Sequence, residues 1–420
     1  MRESFGTART IAPQIAVVGS GPSGCYTAQF LTKADPSVRV TVFDRLPVPF
    51  GLVRYGVAAD HQGTKSVVRQ FEKLFESPRV RFAGNITLGR DLSVDDLLES
   101  FDAVVVATGL HVDMPLELKG AGLQGVLGAG AVTRFLNGHP DVDAPPPCGQ
   151  DAVVIGAGNV AVDVVRLLAK APEHYEGSDM DDSAHRRLTS ELRSITLIAR
   201  SGAENAKFDR AAVRELGEIL GIRIEVHGID PDASDPKSET VRALASAGAS
   251  PARVRLVLRF RTSPVEIVGA TRVEGLRVHD ATGEHVIPAQ TIITAVGFTG
   301  HSATASDPRV RTVGWARRGP VGTIPDNRND ARQVADQVLS SLAGRGSMAL
   351  PGFDGLPFEV RQRAKGIEHW NRIDAVEVAS AEPGRTRRKL RTWDALLGHP
   401  THDEPALVLT SSHDDEGNGR

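Results

Sequence analysis

The stretch Ile15-Ala-Val-Val-Gly-Ser-Gly-Pro-Ser-Gly24 decides the fold of this chain. Its four apolar residues predict a buried parallel strand, and its glycines fit the pattern G-x-G-x-x-G. Gly19 allows a sharp turn out of the strand, Gly21 lets a pyrophosphate approach the backbone, and Gly24 lets the next helix pack closely on the strand. The start of that helix presents free N–H groups and a positive dipole end to phosphate. The stretch therefore predicts that a dinucleotide binds here.

A carboxylate follows at the position where the ribose of a dinucleotide needs one. Residues 38–43 predict a second strand, and Asp44 comes directly after it. Asp44 lies about twenty residues beyond Gly24, the spacing at which an acidic side chain accepts a hydrogen bond from a ribose hydroxyl. A strand, three glycines, a helix, a second strand and an acid in this order are stronger evidence than the glycines alone.

The composition argues against several other classes of protein. A chain of 420 residues favours two or three domains over a single core. The formal net charge of −3 gives no overall attraction to nucleic acid or to an anionic membrane. Cys25 and Cys148 are the only cysteines and form no C-x-x-C pair, which argues against an iron–sulfur cluster, a zinc site or a redox dithiol built from this chain. We expect no bound metal.

The sequence also lacks the apolar segments that direct a chain to a membrane. No apolar run is long enough to span one, and residues 1–13 have neither the core of a signal peptide nor the pattern of a transit peptide. We therefore expect a cytoplasmic monomer that has no membrane span and does not bind nucleic acid.

A second fingerprint lies in the middle of the chain. Residues 152–155 predict a strand, Gly156-Ala-Gly-Asn-Val-Ala161 fits G-x-G-x-x-A, and residues 162–169 predict a helix. This unit has no acid at the ribose position. The next predicted strand, 195–198, leads instead to Arg200, and an arginine there favours a ribose that carries a 2′-phosphate. The second unit is therefore assigned to a nicotinamide dinucleotide and the first to a flavin dinucleotide.

The two fingerprints predict an α/β protein with two Rossmann-like dinucleotide-binding domains, the nicotinamide domain being inserted in a discontinuous flavin domain. Each unit is closed by a further buried strand and a glycine turn. The polar stretch 232–250 is expected to be a loop. The predicted parts are a first flavin-binding part at 1–112, a nicotinamide-binding domain at 113–299, a second flavin-binding part at 300–399 and a disordered tail at 400–420.

Several longer motifs are more specific than the glycine fingerprints. They are Pro47-Val-Pro-Phe-Gly-Leu-Val-Arg-Tyr-Gly-Val-Ala-Ala-Asp-His61, Gly89-Arg-Asp91, Gly314-Trp-Ala-Arg-Arg-Gly-Pro-Val-Gly-Thr-Ile324, Trp370-Asn-Arg-Ile-Asp-Ala-Val-Glu377 and Leu396-Leu-Gly-His399. With both fingerprints, they make the chain resemble the adrenodoxin reductase type of ferredoxin–NADP reductase up to residue 399.

This resemblance implies a flavoprotein of the glutathione-reductase-like fold that uses FAD and NADPH. Hydride passes from the nicotinamide to the flavin, which then gives electrons singly to a separate ferredoxin, or the reverse. The residues that the resemblance implies at FAD are Gly19, Gly21, Ser23, Gly24, Asp44, Arg45, Leu52, Ile86, Trp315, Gly322, Thr323 and Ile324. Those implied at NADPH are Gly156, Ala157, Gly158, Asn159, Val160, Arg200 with its neighbour Ser201, and Gly322.

The resemblance also supplies three candidate catalytic residues, His61, Asp163 and Glu215, which match polar residues close to the redox centre of the family. Each has a simpler interpretation. His61 is alternatively a loop histidine bonded to backbone groups, and the two acids are alternatively surface charges on helices. Trp315 is likewise either a contact of the flavin or an ordinary core aromatic.

The chain departs from the family pattern in the nicotinamide site. The family usually has two adjacent arginines where this chain has Arg200 and Ser201, so one charge-assisted contact to the 2′-phosphate is lost. The Ser201 hydroxyl can still donate a hydrogen bond. A family glutamate falls on Ala212 in an ungapped alignment. NADH is therefore an alternative electron donor.

Two rival functions stay open at this point. One is an NAD(P)H diaphorase or another two-dinucleotide flavoenzyme that acts on a small molecule. The other is a nucleotide-binding subunit of a larger complex that catalyses nothing. A set of arginines predicts either a basic face that binds an acidic ferredoxin or simply a solvated helical face. The set consists of Arg186, Arg187, Arg193, Arg210 and Arg214.

Overall fold

Two parallel sheets form the framework of the computed structural model, which describes residues 12–245, 252–300, 306–345 and 348–399. The strands of both sheets are largely buried runs rich in Val and Ile, as expected where helices cover both faces of a sheet. This arrangement confirms the predicted fold class. The first sheet has the order Val310–Thr312, Ala103–Val106, Gln14–Val18, Arg39–Phe43, Val80–Ala83. The second sheet has the order Val126–Gly128, Thr291–Thr294, Asp151–Ile155, Ser194–Ile198, Val254–Arg259, Ile222–His227.

Helices connect the strands. Within the described ranges, no helix is long and apolar enough to cross a membrane. The α-helices are Pro22–Ala34, Gly51–Tyr55, Gln62–Lys65, Val68–Phe75, Val94–Ser100, Ala129–Leu136, Asn159–Ala169, Asp182–Thr189, Arg210–Gly217, Pro236–Leu244, Trp315–Arg318, Ile324–Arg345, Phe358–Arg363, Ile367–Ala379 and Trp393–Leu397. Single 3₁₀ turns occur at Pro172–Tyr175, Ala203–Asn205 and Gly352–Gly355.

The prediction of a loop at 232–250 is wrong for most of residues 232–245, the part of this stretch that the structure describes. A helix runs from Pro236 to Leu244, and the Asp235 side chain caps it by accepting hydrogen bonds from the backbone N–H groups of Lys237 and Ser238 at 3.0 Å each. An acidic cap followed by proline is a helix-start signal that outweighs the polar composition. Residues 246–250 and the predicted tail at 400–420 lie outside the described residues.

The second sheet is inserted between strands of the first. The chain leaves the first sheet after Ala103–Val106 and returns to it only at Val310–Thr312, which pairs with the same strand. At the two crossings, Val112–Asp113 and Phe298–Thr299 form a small antiparallel pair. The predicted domain boundaries at 112 and 299 fall at this pair and remain a prediction. An antiparallel sheet of Ser263–Val268, Gly275–Asp280 and Gly283–Pro288 lies within the insertion.

A buried ion pair joins the beginning of the chain to its end. The Arg54 guanidinium donates to both carboxylate oxygens of Glu377, 323 residues later, and one of these bonds measures 2.9 Å. The Glu377 side chain is fully buried and also accepts the backbone N–H of Leu390 at 2.9 Å. Burial alone lowers the pKa of Arg54, but Glu377 outweighs burial and raises it. The pair therefore fixes the helix Gly51–Tyr55, which carries cavity residues, against the helix Ile367–Ala379.

A second buried cluster adds a contact with the inserted domain. The ammonium groups of Lys65 and Lys389 lie 2.8 and 2.7 Å from the carboxylate of Asp179, and all three side chains are buried. Burial lowers the pKa of both lysines, whereas the two ammonium groups overcome burial and hold the pKa of Asp179 well below its usual range. One carboxylate thus joins three distant parts of the chain.

We expect Glu377→Gln to lower the free energy of unfolding by about 3–5 kcal/mol, because it leaves the buried Arg54 guanidinium without its counter-charge. Urea unfolding followed by circular dichroism measures the change. Glu368→Gln is the matched control, since Glu368 lies exposed on the same helix. It should change the free energy by less than about 0.5 kcal/mol. Equal effects of the two substitutions would show that the buried pair does not contribute this stability.

Candidate active site

A cavity of about 620 Å³ lies where the strands of the first sheet end. Its wall combines the first glycine turn, the loop after the second strand, the start of the second fingerprint helix and a turn near residue 320. The predicted residues that line it are Gly19, Gly21, Ser23, Asp44, Arg45, Leu52, His61, Ile86, Asn159, Val160, Asp163, Trp315, Gly322, Thr323 and Ile324. The predicted residues outside its wall are Gly24, Gly156, Ala157, Gly158, Arg200, Ser201 and Glu215.

The first glycine turn has the geometry that the motif predicts. Gly19 has a φ of +112°, and a Cβ there would lie 2.4 Å from the carbonyl oxygen of Ala107. A Cβ on Gly24 would lie 1.9 Å from the carbonyl oxygen of Gly19, so only glycine lets the helix pack this closely. A Cβ on Gly21 would meet nothing within 4 Å. Gly21 therefore borders open space in the cavity, whereas the other two glycines are needed for packing.

The second fingerprint repeats this geometry in the second sheet. Gly156 has a φ of +131°, and a Cβ there would lie 2.4 Å from the carbonyl oxygen of Ala295. A Cβ on Gly158 would again meet nothing within 4 Å. The helix that follows begins with Asn159 and Val160, and both line the large cavity. Two helix starts thus open toward one cavity.

Asp44 is held rigidly at the cavity wall. One carboxylate oxygen accepts the backbone N–H and the hydroxyl of Ser20 at 2.9 and 2.5 Å, and the other accepts the N–H of Leu46 at 3.0 Å. The Ser20 hydroxyl accepts the N–H of Phe50 at 3.2 Å. The oxygen that faces Leu46 has a second lone pair, so it can accept one more hydrogen bond from a ligand hydroxyl. The sequence did not indicate that Ser20 orients this carboxylate.

Arg45 lies between the large cavity and a smaller one of about 380 Å³. Its guanidinium forms an ion pair with Asp141. Burial is the main reason that the pKa of His139 falls to about 3, and burial together with Arg45 also lowers the pKa of His111. Both imidazoles are therefore neutral near pH 7, and Arg134 is the other cation of the small cavity.

Residues some three hundred positions from the first glycine turn complete the cavity wall. The Trp315 ring stacks on Phe298 with 5.7 Å between centroids, and its indole N–H has no hydrogen-bond partner in the described structure. Asp326 caps the helix Ile324–Arg345 by accepting the backbone N–H and hydroxyl of Thr323 at 2.7 and 2.9 Å. Thr323 and Ile324, at the start of this helix, line the cavity.

The three candidate catalytic residues come together, with His61 and Asp163 in the cavity wall and Glu215 next to His61. The Nε2 atom of His61 lies 3.1 Å from a carboxylate oxygen of Glu215, and its Nδ1 atom lies 3.8 Å from a carboxylate oxygen of Asp163. Burial raises the pKa of Asp163 despite the nearby Arg166. The imidazole is thus positioned between two acids that come from different helices.

Arg166 is the residue of this cluster that sequence reasoning missed. Its side chain is 1% exposed and contacts Asp163 at 2.7 Å, Glu215 at 3.2 Å and, through a third nitrogen, Asp60. Burial alone raises the pKa of Asp60, but Arg166 and Lys170 outweigh it and hold that pKa below its usual value. The i, i+3 spacing of Asp163 and Arg166 on a predicted helix was the available signal.

The residues predicted to set nucleotide preference lie at the carboxyl end of the second sheet. Arg200 is exposed just beyond the strand Ser194–Ile198, and Ser201 and Ala212 are half-buried. The predicted basic residues do not share one edge. Arg193 donates its N–H to Gln150 at the amino end of this sheet. Arg210 and Arg214 instead belong to the Glu215 helix at its carboxyl end. Among the described residues, no cluster of His, Cys, Asp and Glu could hold a metal ion.

Comparison with known proteins gives the same relationship along most of the chain. Residues 13–231 match the model of the family described as pyridine nucleotide-disulphide oxidoreductase. The chain is 39% identical to cindoxin reductase of Citrobacter braakii, over 92% of this chain and 91% of that protein. It is 34% identical to NADPH-ferredoxin reductase FprA of Mycobacterium tuberculosis strain H37Rv, over 91% of this chain and 98% of that protein. It is 32% identical to the mitochondrial NADPH:adrenodoxin oxidoreductase of Rattus norvegicus, over 94% of each.

The structural comparison agrees. The fold superposes on the structure of Mycobacterium tuberculosis FprA in complex with NADPH with a TM-score of 0.85 and 31% identity, covering 92% of this chain and 98% of that one. The matched family model spans more than half of the chain, and the relatives match it almost from end to end. The chain therefore belongs to the pyridine nucleotide-disulphide oxidoreductase family and, within it, to the oxidoreductases of the NADPH-ferredoxin and NADPH:adrenodoxin reductase type.

Proposed function

We propose that this chain is an FAD-dependent oxidoreductase that takes hydride from NADPH and passes electrons singly to a ferredoxin. The observation that carries the proposal is the meeting of two dinucleotide fingerprints at one cavity, where Gly21 and Ser23 of the first and Asn159 and Val160 of the second share a wall. The named activities of the relatives support NADPH as the donor and an iron–sulfur protein as the acceptor.

The residues of the first fingerprint fit FAD. Gly21 leaves open space at a helix start, which suits a pyrophosphate. Asp44 has the remaining lone pair that a ribose hydroxyl needs. At the far end, the unpartnered N–H of Trp315 and the helix start at Thr323 offer donors to an electron-rich ring edge. When bound, FAD accepts hydride and releases electrons one at a time.

The residues of the second fingerprint fit the nicotinamide nucleotide. The side-chain oxygen of Asn159 accepts the backbone N–H of Asp209 at 2.7 Å, which fixes the first residue of the helix. Its amide nitrogen therefore remains available to a ligand. Gly158 borders open space next to it, as Gly21 does in the first unit. The nicotinamide would then point into the shared cavity, and the adenosine would lie outward toward Arg200.

His61 has a positioning role in this proposal. Hydride transfer requires the donor and acceptor rings to be held close together and aligned, more than it requires acid–base chemistry. Both ring nitrogens of His61 face carboxylates, so the imidazole has one fixed orientation at the cavity wall. Arg166 holds those two carboxylates in place. We assign to His61 the part of the cavity wall that faces the nicotinamide. Asp163, Glu215 and Arg166 fix the orientation of the His61 imidazole.

The first test is direct. The purified protein should show a flavin spectrum, and anaerobic addition of NADPH should bleach it within seconds. The reduced enzyme should then reduce a purified [2Fe–2S] ferredoxin. Cytochrome c serves as the final acceptor, and its reduction should require both the enzyme and the ferredoxin. Flavin that stays oxidised would favour a nucleotide-binding subunit without catalysis. Reduction of dichlorophenolindophenol without any reduction of ferredoxin would favour a diaphorase.

We expect Gly21→Val to fold but to retain roughly tenfold less flavin, because the new side chain takes the space that the pyrophosphate needs. The ratio of flavin to protein absorbance after purification measures this loss. Gly122→Val is the matched control, since a Cβ at Gly122 also meets nothing within 4 Å and Gly122 lies outside the cavity wall. A Gly21 variant with full flavin content would remove this glycine from the binding site.

We expect His61→Asn to slow flavin reduction by NADPH about 10- to 100-fold, because the shorter side chain cannot contact both carboxylates and the wall loses its fixed geometry. Anaerobic stopped-flow absorbance measures the rate, and flavin content should stay unchanged. His279→Asn, on the exposed face of the antiparallel sheet, is the control and should leave the rate unaltered. An unchanged rate in the His61 variant would leave His61 as an ordinary loop histidine.

A further inference from the structure

The adenosine end of the second fingerprint has fewer charges than a 2′-phosphate needs. The rule for these units places the ribose at the end of the second strand, here Ser194–Ile198 followed by Arg200 and Ser201. Arg200 is exposed, and its guanidinium forms no ion pair with any carboxylate of the described residues. Ser201 contributes only a hydroxyl. A phosphate that carries nearly two charges is usually held by more than one cation.

The neighbouring strand supplies another arginine at this point. Val254–Arg259 lies parallel to Ser194–Ile198, so the carboxyl ends of the two strands are adjacent. The backbone N–H of Arg261 donates to the carbonyl of Ser201 at 3.0 Å, and that of Thr262 donates to the carbonyl of Ala199 at 2.9 Å. Arg261 is therefore fixed beside the Arg200–Ser201 segment, although it lies sixty residues later in the sequence.

The backbone of Arg261 is strained at this place. Its φ is +53°, in the left-handed region that non-glycine residues rarely occupy. Such residues persist where the surrounding contacts determine the backbone, and they cluster at ligand sites. The hydrogen bond to Ser201 is one such contact. The Arg261 side chain pairs with Glu204, three residues after Ser201.

Glu204 is the carboxylate that Arg261 contacts in the free protein. Arg261 Nη2 lies 3.4 Å from Glu204 Oε1, and the two side chains are 54% and 35% exposed. The carboxylate lies over Gly202, where a Cβ would be 2.2 Å from Glu204 Oε2. An exposed pair at this distance is weak, so a dianionic ligand competes with it readily. The pair also holds the guanidinium at Glu204, three residues beyond Ser201 in the chain.

We propose that Arg261 is the second cation of the adenosine 2′-phosphate site of NADPH and takes the role that Ser201 cannot fill. In the free protein Glu204 holds the Arg261 guanidinium near the site, and the phosphate replaces that carboxylate on binding. The inference rests on the proposed function, because that proposal assigns the second fingerprint to the nicotinamide nucleotide. It makes Arg261 a specificity-determining residue that no motif of this strand pair reveals.

The experiment compares binding of 2′,5′-ADP and 5′-AMP to the purified flavin-containing protein by isothermal calorimetry. We expect Arg261→Gln to weaken 2′,5′-ADP about tenfold or more while 5′-AMP changes less than about twofold, because only the first ligand has the 2′-phosphate. Arg261→Lys should recover part of the loss. Arg255→Gln is the matched control, since Arg255 lies on the same strand at its other end and also pairs with a glutamate, Glu225. It should leave both affinities unaltered.

Glu204→Gln independently tests whether the 2′-phosphate replaces the Glu204 carboxylate on Arg261. It should strengthen binding of 2′,5′-ADP, because a negative charge near the phosphate is removed and Arg261 is released. Weaker binding of 2′,5′-ADP by the Glu204 variant, or equal effects of Arg261→Gln on the two ligands, would overturn the inference.

The outcomes also separate this inference from the proposed function. Wild-type protein that is reduced by NADH and does not prefer 2′,5′-ADP over 5′-AMP overturns the phosphate site and leaves the reductase intact. Protein that shows the Arg261-dependent preference but whose flavin neither NADPH nor NADH reduces overturns the reductase and leaves the phosphate site intact.

Discussion

The close approach of a glycine to a carbonyl just beyond the end of a neighbouring strand is the constraint on which the site depends. A Cβ at Gly19 would lie 2.4 Å from the oxygen of Ala107, and a Cβ at Gly156 would lie 2.4 Å from the oxygen of Ala295. In each sheet the chain therefore turns directly against the end of the adjacent strand. This contact sets where each fingerprint helix starts, and both helix starts reach the same cavity. A single steric rule, used twice, brings the two predicted nucleotide-binding turns to one cavity.

The site also depends on the placement of charged side chains, because the inserted domain contacts the flavin-binding part of the chain through buried ions. Arg166 contacts acids from its own helix, from the loop of His61 and from the helix of Glu215. Removing one partner from such a cluster costs several kcal/mol, whereas an apolar replacement of the whole cluster can be neutral. The cluster is therefore better explained by the fixed orientation that it gives His61 than by stability. The Arg54–Glu377 pair acts in a comparable way, since it holds the helix that carries the cavity residue Leu52.

The sequence predicted those features that depend on local pattern. The glycine turns, the strands and the acid at Asp44 follow from residues within about thirty positions of each other, and the structure has them at the predicted places. Contacts between distant residues were not predictable in this way. Arg166 meets Asp60 across 106 residues, and no spacing rule connects them. The helix Pro236–Leu244 differs from the predicted loop for another reason, since its Asp–Pro start favours a helix more strongly than its polar composition favours a loop.

Nucleotide preference illustrates why a motif confined to one strand is incomplete. In a parallel sheet the carboxyl ends of adjacent strands form one continuous edge, and a ligand at that edge is contacted by residues from both. Ser201 suggests a weakened phosphate site only if the strand Ser194–Ile198 and the residues directly after it are considered without the neighbouring strand. Once Val254–Arg259 is placed beside it, Arg261 lies next to Ser201, and the charge near the ribose must be counted over both segments. Under the proposal that Arg261 contacts the phosphate, the balance between two arginines and Glu204, rather than the identity of one residue, sets the preference between NADPH and NADH.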